Sequence, residues 1–202
     1  MSRWPPREQM EARILETADR LFYGQGIRAV GVDTIAAEIG ISKRTLYNHF
    51  PSKDALIVAY LARRIAPITS SDKPPAEQIL GRFDRIGRAV AGGTFRGCPF
   101  VNAVAELGEP THPANQVAVT FKERQRVWFR DRLSELAVRD PDRLATQLAL
   151  LVDGAIAAAL VRGDPAMADA AKDAARTLLR AAGVALPAAG RGGAKRASKR
   201  AH

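Results

Sequence analysis

The chain has 202 residues, 47% of them hydrophobic, which is enough for one core or for a small domain joined to a larger one. Its formal net charge is +10, but the last twelve residues carry five Lys/Arg and no acidic residue, so half of the excess lies in one short segment. High basicity alone therefore does not indicate a nucleic-acid partner. A single cysteine, Cys98, excludes an intrachain disulfide and fits a reducing compartment.

The sequence predicts a cytoplasmic protein with no membrane partner. Its N-terminus has no apolar segment of the signal-peptide type. The longest apolar run, residues 155–161, is too short to span a bilayer.

Four short helices are predicted at the N-terminal end. The first has apolar residues at helical spacing, namely Ile14, Ala18, Leu21 and Phe22. Glycines at positions 24 and 26 are expected to end it. A second helix ends at Gly40, a third begins after the N-cap Ser42, and a fourth begins after Ser52.

Longer helices follow a polar linker that begins near Pro67. We predict helices over 76–90, 98–108 and 114–138, and a further one that opens with Asp140 and Pro141 as N-cap and first residue. Asp164 and Pro165 are predicted to be the N-cap and first residue of the last helix in the same way. No internal repeat or strand is predicted. Residues 187–202 lack an apolar period and are expected to be a disordered basic tail.

The stretch "GISKRTLYNHFPSKDAL", residues 40–56, indicates a helix-turn-helix. Gly40 permits the left-handed backbone of the turn, while Ile41 and Leu46 anchor the second helix to the first. Its outward residues are then polar and cationic, as a helix in the major groove of DNA requires. From the residues alone, an ordinary solvated helix pair remains an alternative.

The segment "VDTIAAEIGISKRTLYNHFPSKDALIVAYL" resembles the DNA-binding segment of the TetR family of bacterial transcriptional regulators. The resemblance implies an all-α fold: an N-terminal three-helix helix-turn-helix DNA-binding domain plus a C-terminal helical ligand-binding and dimerisation domain. We place these domains at 1–51 and 52–186, followed by the tail, 187–202. A dimer reading a palindromic double-stranded DNA operator is the implied partner arrangement.

By that resemblance, seven residues are predicted to contact DNA: Lys43, Arg44, Thr45, Tyr47, Asn48, His49 and Lys53. Lys53 is assigned to a phosphate. The family often has a small residue where Arg44 stands, which suggests an extra contact there. It often has Ser or Thr near Gly31, which suggests a weaker cap on the second helix.

The segment "RGCPFVNAVAELG", residues 96–108, looks like one common in a subset of TetR regulators, but it names no ligand. Its apolar residues, including Val101 and Val104, are expected to be mostly core. We predict an unknown small-molecule effector and no cofactor. Candidate ligand-binding residues are Phe83, Phe95, Phe100, Asn102, Glu106, Phe121, Arg124 and Trp128. Each has a plain structural alternative, as core or as an exposed or capping side chain.

The alanine-rich stretch "LALLVDGAIAAALV" and the helix after it are expected to form a four-helix interface across a two-fold axis, although both could instead fill a monomer core. The basic tail could add non-specific DNA affinity or remain uninvolved. A helical enzyme using Glu106, His112 and Asp153 is the alternative function, and a protein-interaction module without DNA contact is another. No catalytic spacing, metal-ligand spacing or phosphate loop supports a catalytic or metal site.

Overall fold

The computed structural model describes residues 6–65 and 72–186. These two ranges contain nine α-helices and no β-strand, which confirms the all-α fold. The helices are α1 (Arg7–Gln25), α2 (Val32–Ile39), α3 (Lys43–His49), α4 (Lys53–Arg64), α5 (Pro75–Ala91), α6 (Pro99–Leu107), α7 (Pro113–Glu135), α8 (Pro141–Arg162) and α9 (Ala166–Ala181). The predicted tail, 187–202, and linker residues 66–71 lie outside the described residues.

Local signals in the sequence set the ends of the short N-terminal helices. The Ser42 hydroxyl accepts a hydrogen bond from the Thr45 N–H at 3.0 Å, and that of Ser52 accepts one from the Ala55 N–H at 3.0 Å. Gly40 adopts φ +77°, the left-handed conformation that closes α2 and turns the chain into α3. Gly31 provides no side-chain cap for α2, as its lack of a hydroxyl predicts.

One hydrophobic cluster joins α1–α4 to part of the C-terminal half. The buried faces of the first four helices meet at residues such as Ile14, Leu46 and Leu61, each fully buried. Phe100 and Ala103 of α6 belong to the same cluster. Helices α4 and α6 both pack on α7, whose first turns also enter this cluster, so the two halves of the chain share a core.

A second cluster holds α5, α7, α8 and α9 together. Helix α8 buries one face, including Leu148 and Val152, and leaves Leu150 and Val161 exposed on the other. The apolar run 155–161 is only part of α8. The whole helix, 22 residues, is long and apolar enough to cross a membrane by length and composition alone. The same test is passed by core helices of soluble proteins, and α8 packs between α7 and α9.

Three details differ from the sequence prediction. Gly24 lies inside α1, which ends at Gln25, so only Gly26 terminates it. Helix α7 ends at Glu135 rather than near 138, because Ala137 turns the chain with φ +54°. Val101 and Val104 of α6 are 49% and 38% exposed, so the expectation that they are core is wrong.

Candidate DNA-binding interface and effector cavity

Helix α3 presents one polar, cationic face to solvent. Leu46 is fully buried and Phe50 nearly so, which fixes the helix by its opposite side. Lys43, Arg44, Tyr47 and Asn48 are exposed. Their positions, i, i+1, i+4 and i+5, share one side of an α-helix. The structure thus brings four of the seven predicted DNA contacts onto a single surface.

Thr45 and His49 are half-buried at the edges of that surface. The Thr45 hydroxyl lies 2.8 Å from the Ser42 hydroxyl, within the N-terminal turn of α3. His49 Nδ1 lies 3.3 Å from Glu11 Oε1, so this side chain ties α3 to α1. The hydrogen bond with His49, followed by the one from Arg7, holds the pKa of Glu11 below its ordinary value.

Both lysines of the predicted set have partners within the protein. Lys43 Nζ pairs with Asp33 Oδ2 at 3.0 Å, and this hydrogen bond raises the pKa of the lysine. Lys53 Nζ donates to the Ile27 carbonyl oxygen at 2.6 Å, and burial lowers its pKa. A DNA phosphate that contacts Lys53 would therefore either compete with that carbonyl for the ammonium group or bind an ammonium group that the carbonyl already positions. Arg44, by contrast, has no hydrogen bond or ion pair to another described residue.

Two of the concave regions among the C-terminal helices are lined by predicted ligand-binding residues. A groove of about 780 Å³ lies between α6, α7 and α8, with Val101, Val104, Val119 and Leu150 in its exposed walls. A smaller cavity of about 220 Å³ lies between α5, the loop before α6, α7 and α8. We call these the outer groove and the inner cavity.

The predicted ligand-binding residues are distributed over several environments. Phe95 and Phe121 line the inner cavity, and Phe100, stacked on Phe121 at 3.9 Å, lines the outer groove. Phe83 is fully buried in the second cluster. Arg124 is exposed, and Trp128 packs edge-on against Phe129; neither lines either region.

The two polar candidates on α6 bond to backbone instead. Asn102 Nδ2 donates to the Arg96 carbonyl oxygen at 2.6 Å. Glu106 Oε2 accepts from the Arg28 N–H at 3.0 Å, and the Arg28 guanidinium donates to the Leu107 carbonyl at 3.1 Å. Glu106 thus joins α6 to the turn between α1 and α2.

A second fastening joins α1 to the wall of the inner cavity. The Tyr23 hydroxyl donates to the Gly97 carbonyl at 3.1 Å and accepts from the Arg96 N–H at 2.9 Å. Gly97 itself lines the inner cavity. The Tyr23 ring lies under the Arg64 guanidinium, 4.4 Å from its centroid, and that guanidinium also bonds Asp19. The cavity wall and α1 are therefore in direct contact.

Sequence reasoning missed the polar lining of the inner cavity, formed by Arg82, Arg85, Lys122 and Gln125. Arginines at 82, 85 and 88 recur every three residues, a spacing that places them near one another on a helix surface. That pattern was the available signal. No signal in the sequence indicates that Gln125, on a mainly polar helix, is buried.

The residues of the alternative enzyme hypothesis do not meet. Glu106 bonds the Arg28 backbone, and Asp153 pairs with Lys122. His112 Nδ1 accepts from the Ala114 N–H at 3.1 Å as the N-cap of α7, and its Nε2 lies 3.3 Å from Asp54. Among the described residues no group of His, Cys, Asp and Glu could hold a metal ion.

An all-α chain with a short turn and an outward cationic helix defines a helix-turn-helix DNA-binding protein. Residues 14–60 match the sequence profile of bacterial regulatory proteins, tetR family. A solved structure described as a tetR-type transcriptional regulator from Streptomyces avermitilis is 34% identical, with TM-score 0.78 over 90% of this chain and 100% of that one. The chain belongs to the TetR family of transcriptional regulators.

Relatives in other bacteria carry the same type of name. The transcriptional regulator YjdC of Escherichia coli K12 is 27% identical over 175 residues, 83% of this chain and 92% of that protein. The transcriptional repressor Rv3405c of Mycobacterium tuberculosis is 32% identical over 117 residues, 53% of this chain and 61% of that protein. These similarities confirm a DNA-binding transcriptional regulator rather than an enzyme.

Proposed function

We propose that the protein is a cytoplasmic, effector-responsive repressor that binds a palindromic operator as a homodimer. Residues 1–51 would read the DNA, and residues 52–186 would bind the effector and dimerise. The exposed face of α3 is the observation that supports operator binding most directly. The sign of regulation is part of the proposal, since the Mycobacterium tuberculosis relative is named a repressor and a Mycolicibacterium smegmatis relative an activator.

Operator binding is tested with duplexes that carry the DNA upstream of the protein's own gene. We expect saturable binding by fluorescence anisotropy, abolished when the exposed α3 residues Arg44, Tyr47 and Asn48 are all changed to alanine. A triple variant of exposed residues on α5 is the matched control and should bind normally. Equal binding to the upstream DNA and to a shuffled duplex would contradict the proposal.

The α3 residues have distinct proposed roles. Arg44 and Asn48 match the side chains that read guanine and adenine edges in the major groove. Lys43, Thr45, Tyr47 and His49 can donate to phosphates around them, and Lys53 to a phosphate at the start of α4. These assignments rest on exposure and chemistry, and base-substitution scans of the operator test each one.

The outer face of α8 supports the proposed dimer. Leu150, Leu160 and Val161 are 66%, 43% and 86% exposed, which is unusual for three large apolar residues on one helix of a monomer. The outer groove adjoins Leu150 and continues this apolar surface. Packing against the same face of a second copy would remove it from water and set two α3 helices about one DNA turn apart.

Sedimentation equilibrium at micromolar concentration tests the dimer. The wild type should sediment at twice the 21.8 kDa chain mass. Leu150→Asp should shift it toward the monomer, whereas Ala91→Asp, at the exposed end of α5, should leave the dimer intact. A monomeric wild type would remove the two-fold argument for a palindromic operator.

Effector response is proposed to act through the contacts of Tyr23 and Glu106. Because Gly97 both lines the inner cavity and accepts from Tyr23, a ligand that shifts the 96–98 loop also shifts α1. Since α3 packs on α1, the two DNA-reading helices would lose the spacing that the operator requires. Compounds that bind the protein should therefore lower its operator affinity.

A further inference from the structure

The inner cavity combines an apolar body with a cationic side. Its apolar walls come from α5, the loop before α6, α7 and α8, and include Ile86, Phe95, Phe121, Val152 and Ile156. Its volume, about 220 Å³, is below the range of drug-sized pockets and exceeds a ~150 Å³ apolar cavity that accepts benzene. The space therefore suits one ring, or a branched chain of similar size, plus a small polar group.

The charged residues around the cavity are all basic. Arg82 and Arg85 lie on one side and Lys122 on another, and none of the described lining residues is acidic. Lys122 pairs with Asp153, which neutralises it. Arg82 and Arg85 have no carboxylate partner among the described residues. Burial, followed by the charge of Arg85, lowers the pKa of Arg82 to about 10.

Gln125 adds a buried amide donor to the lining of the inner cavity. Its side chain is 3% exposed, and its Oε1 accepts from the Arg82 guanidinium at 3.3 Å. Its Nε2 is buried and has no hydrogen-bond partner among the described residues. A buried amide N–H without an acceptor is unfavourable, and an acceptor oxygen inside the cavity would satisfy it.

We propose, building on the effector response proposed above, that the inner cavity binds a small organic monoanion: a carboxylate attached to one apolar ring or a similarly sized branched chain. The carboxylate would lie beside Arg82 and Arg85, and one of its oxygens would accept from Gln125 Nε2. The planar guanidinium suits a planar carboxylate better than a point-charge donor would. The apolar part would pack between Phe95 and Phe121.

The ligand class is tested on the full-length wild type with benzoate, benzamide and acetate, by calorimetry. Benzoate has both the ring and the charge, benzamide has the ring without the charge, and acetate has the charge without the ring. We expect saturable benzoate binding and at least roughly tenfold weaker binding of the other two, because each loses one of the two contributions. Benzamide binding as tightly as benzoate, or no benzoate binding, would overturn the proposal.

Variants locate the site. Arg82→Met and Gln125→Met keep the length of the side chain, and each should weaken benzoate binding. Arg82→Met should raise the Kd by roughly 10- to 100-fold, because it loses a charge-assisted hydrogen bond. Arg88→Met makes the same change at an exposed residue of the same helix and should leave Kd unchanged. Thermal unfolding of each free variant checks its fold. Unchanged benzoate affinity in folded Arg82→Met and Gln125→Met would overturn the site.

Operator anisotropy separates this inference from the proposed function. Benzoate that binds the wild type in this cavity without releasing DNA would support the anion site and contradict the effector response. Benzoate that fails to bind, while a neutral ring compound releases the operator, would contradict the anion site and leave the effector response standing.

Discussion

Replacement of Arg44 by alanine removes the exposed guanidinium of α3 that has no hydrogen bond or ion pair to another described residue. The change should therefore alter the free energy of unfolding by no more than about 0.5 kcal/mol. If Arg44 forms a bidentate contact with a guanine, the loss should cost ~1–3 kcal/mol per half-site. That cost corresponds to a roughly 5- to 150-fold rise in Kd.

The assay is fluorescence anisotropy on an operator selected from random duplexes, with each base pair then changed in turn. The wild type should discriminate strongly at one position of each half-site, and Arg44→Ala should lose discrimination at that position alone. Arg88→Ala, which removes an exposed arginine from α5, is the matched control and should leave the base profile unchanged. Lys53→Ala should instead weaken all sequences alike and reduce the salt slope by about one.

The base-reading role of Arg44 is refuted if Arg44→Ala weakens cognate and scrambled duplexes by the same factor. Such a result would make Arg44 a phosphate contact. It would also move the discrimination to Asn48, the other exposed α3 residue whose side chain can bond two atoms of one base.

Three further predictions follow from named contacts. Ser42→Ala removes the N-cap of α3 and should lower the free energy of unfolding by ~0.5–2 kcal/mol in urea titration. Ser52→Ala should have the same effect through α4. An unchanged free energy of unfolding in Ser42→Ala would show that packing alone holds α3. Tyr23→Phe keeps the ring under the Arg64 guanidinium but deletes both hydrogen bonds to the 96–98 loop. Operator affinity should therefore persist, while release of the operator by the effector weakens. A normal release curve would exclude coupling through Tyr23. Burial raises the pKa of the Tyr60 hydroxyl. The stability that depends on a neutral Tyr60 is therefore present below the unfolded pKa of about 10 and is lost as pH rises above that value. Tyr60→Phe should flatten this alkaline decline in the free energy of unfolding, and an unchanged pH profile would contradict the prediction.

Most helix boundaries could be predicted because their signals are local. Ser42 and Ser52 cap helices through hydrogen bonds to residues three positions ahead, and Asp140 does the same for α8. The end of α7 was predicted too late because Ala137 adopts the left-handed conformation without being glycine or asparagine. No sequence rule marks an alanine for that role.

The outward face of α3 was predictable, but the partners of its edge residues were not. A buried Leu46 at the right spacing fixes which residues point outward. The bonds of His49 to Glu11 and of Lys53 to the Ile27 carbonyl join residues 38 and 26 positions apart. Such pairs depend on how helices pack, which helical periodicity does not encode.

The same limit explains the C-terminal half. Val101 and Val104 have the composition of core residues, yet they face the outer groove. Periodicity identifies an apolar face, but it does not say whether the same chain or a second copy covers that face. The inner cavity is formed by four separate segments, so its polar lining becomes visible only when those segments are assembled.

The two halves are joined by a shared apolar core and, near the inner cavity and along α6, by a small set of hydrogen bonds. Four hydrogen bonds join Tyr23 and Arg28 to residues 96–107. At ~0.5–1.5 kcal/mol each, together they amount to about 2–6 kcal/mol, with the exposed Arg28 pair toward the lower end. Coupling between a ligand and a distant site is typically ~1–3 kcal/mol. The two Tyr23 bonds at the cavity wall, about 1–3 kcal/mol together, are therefore of the size that the proposed effector response requires.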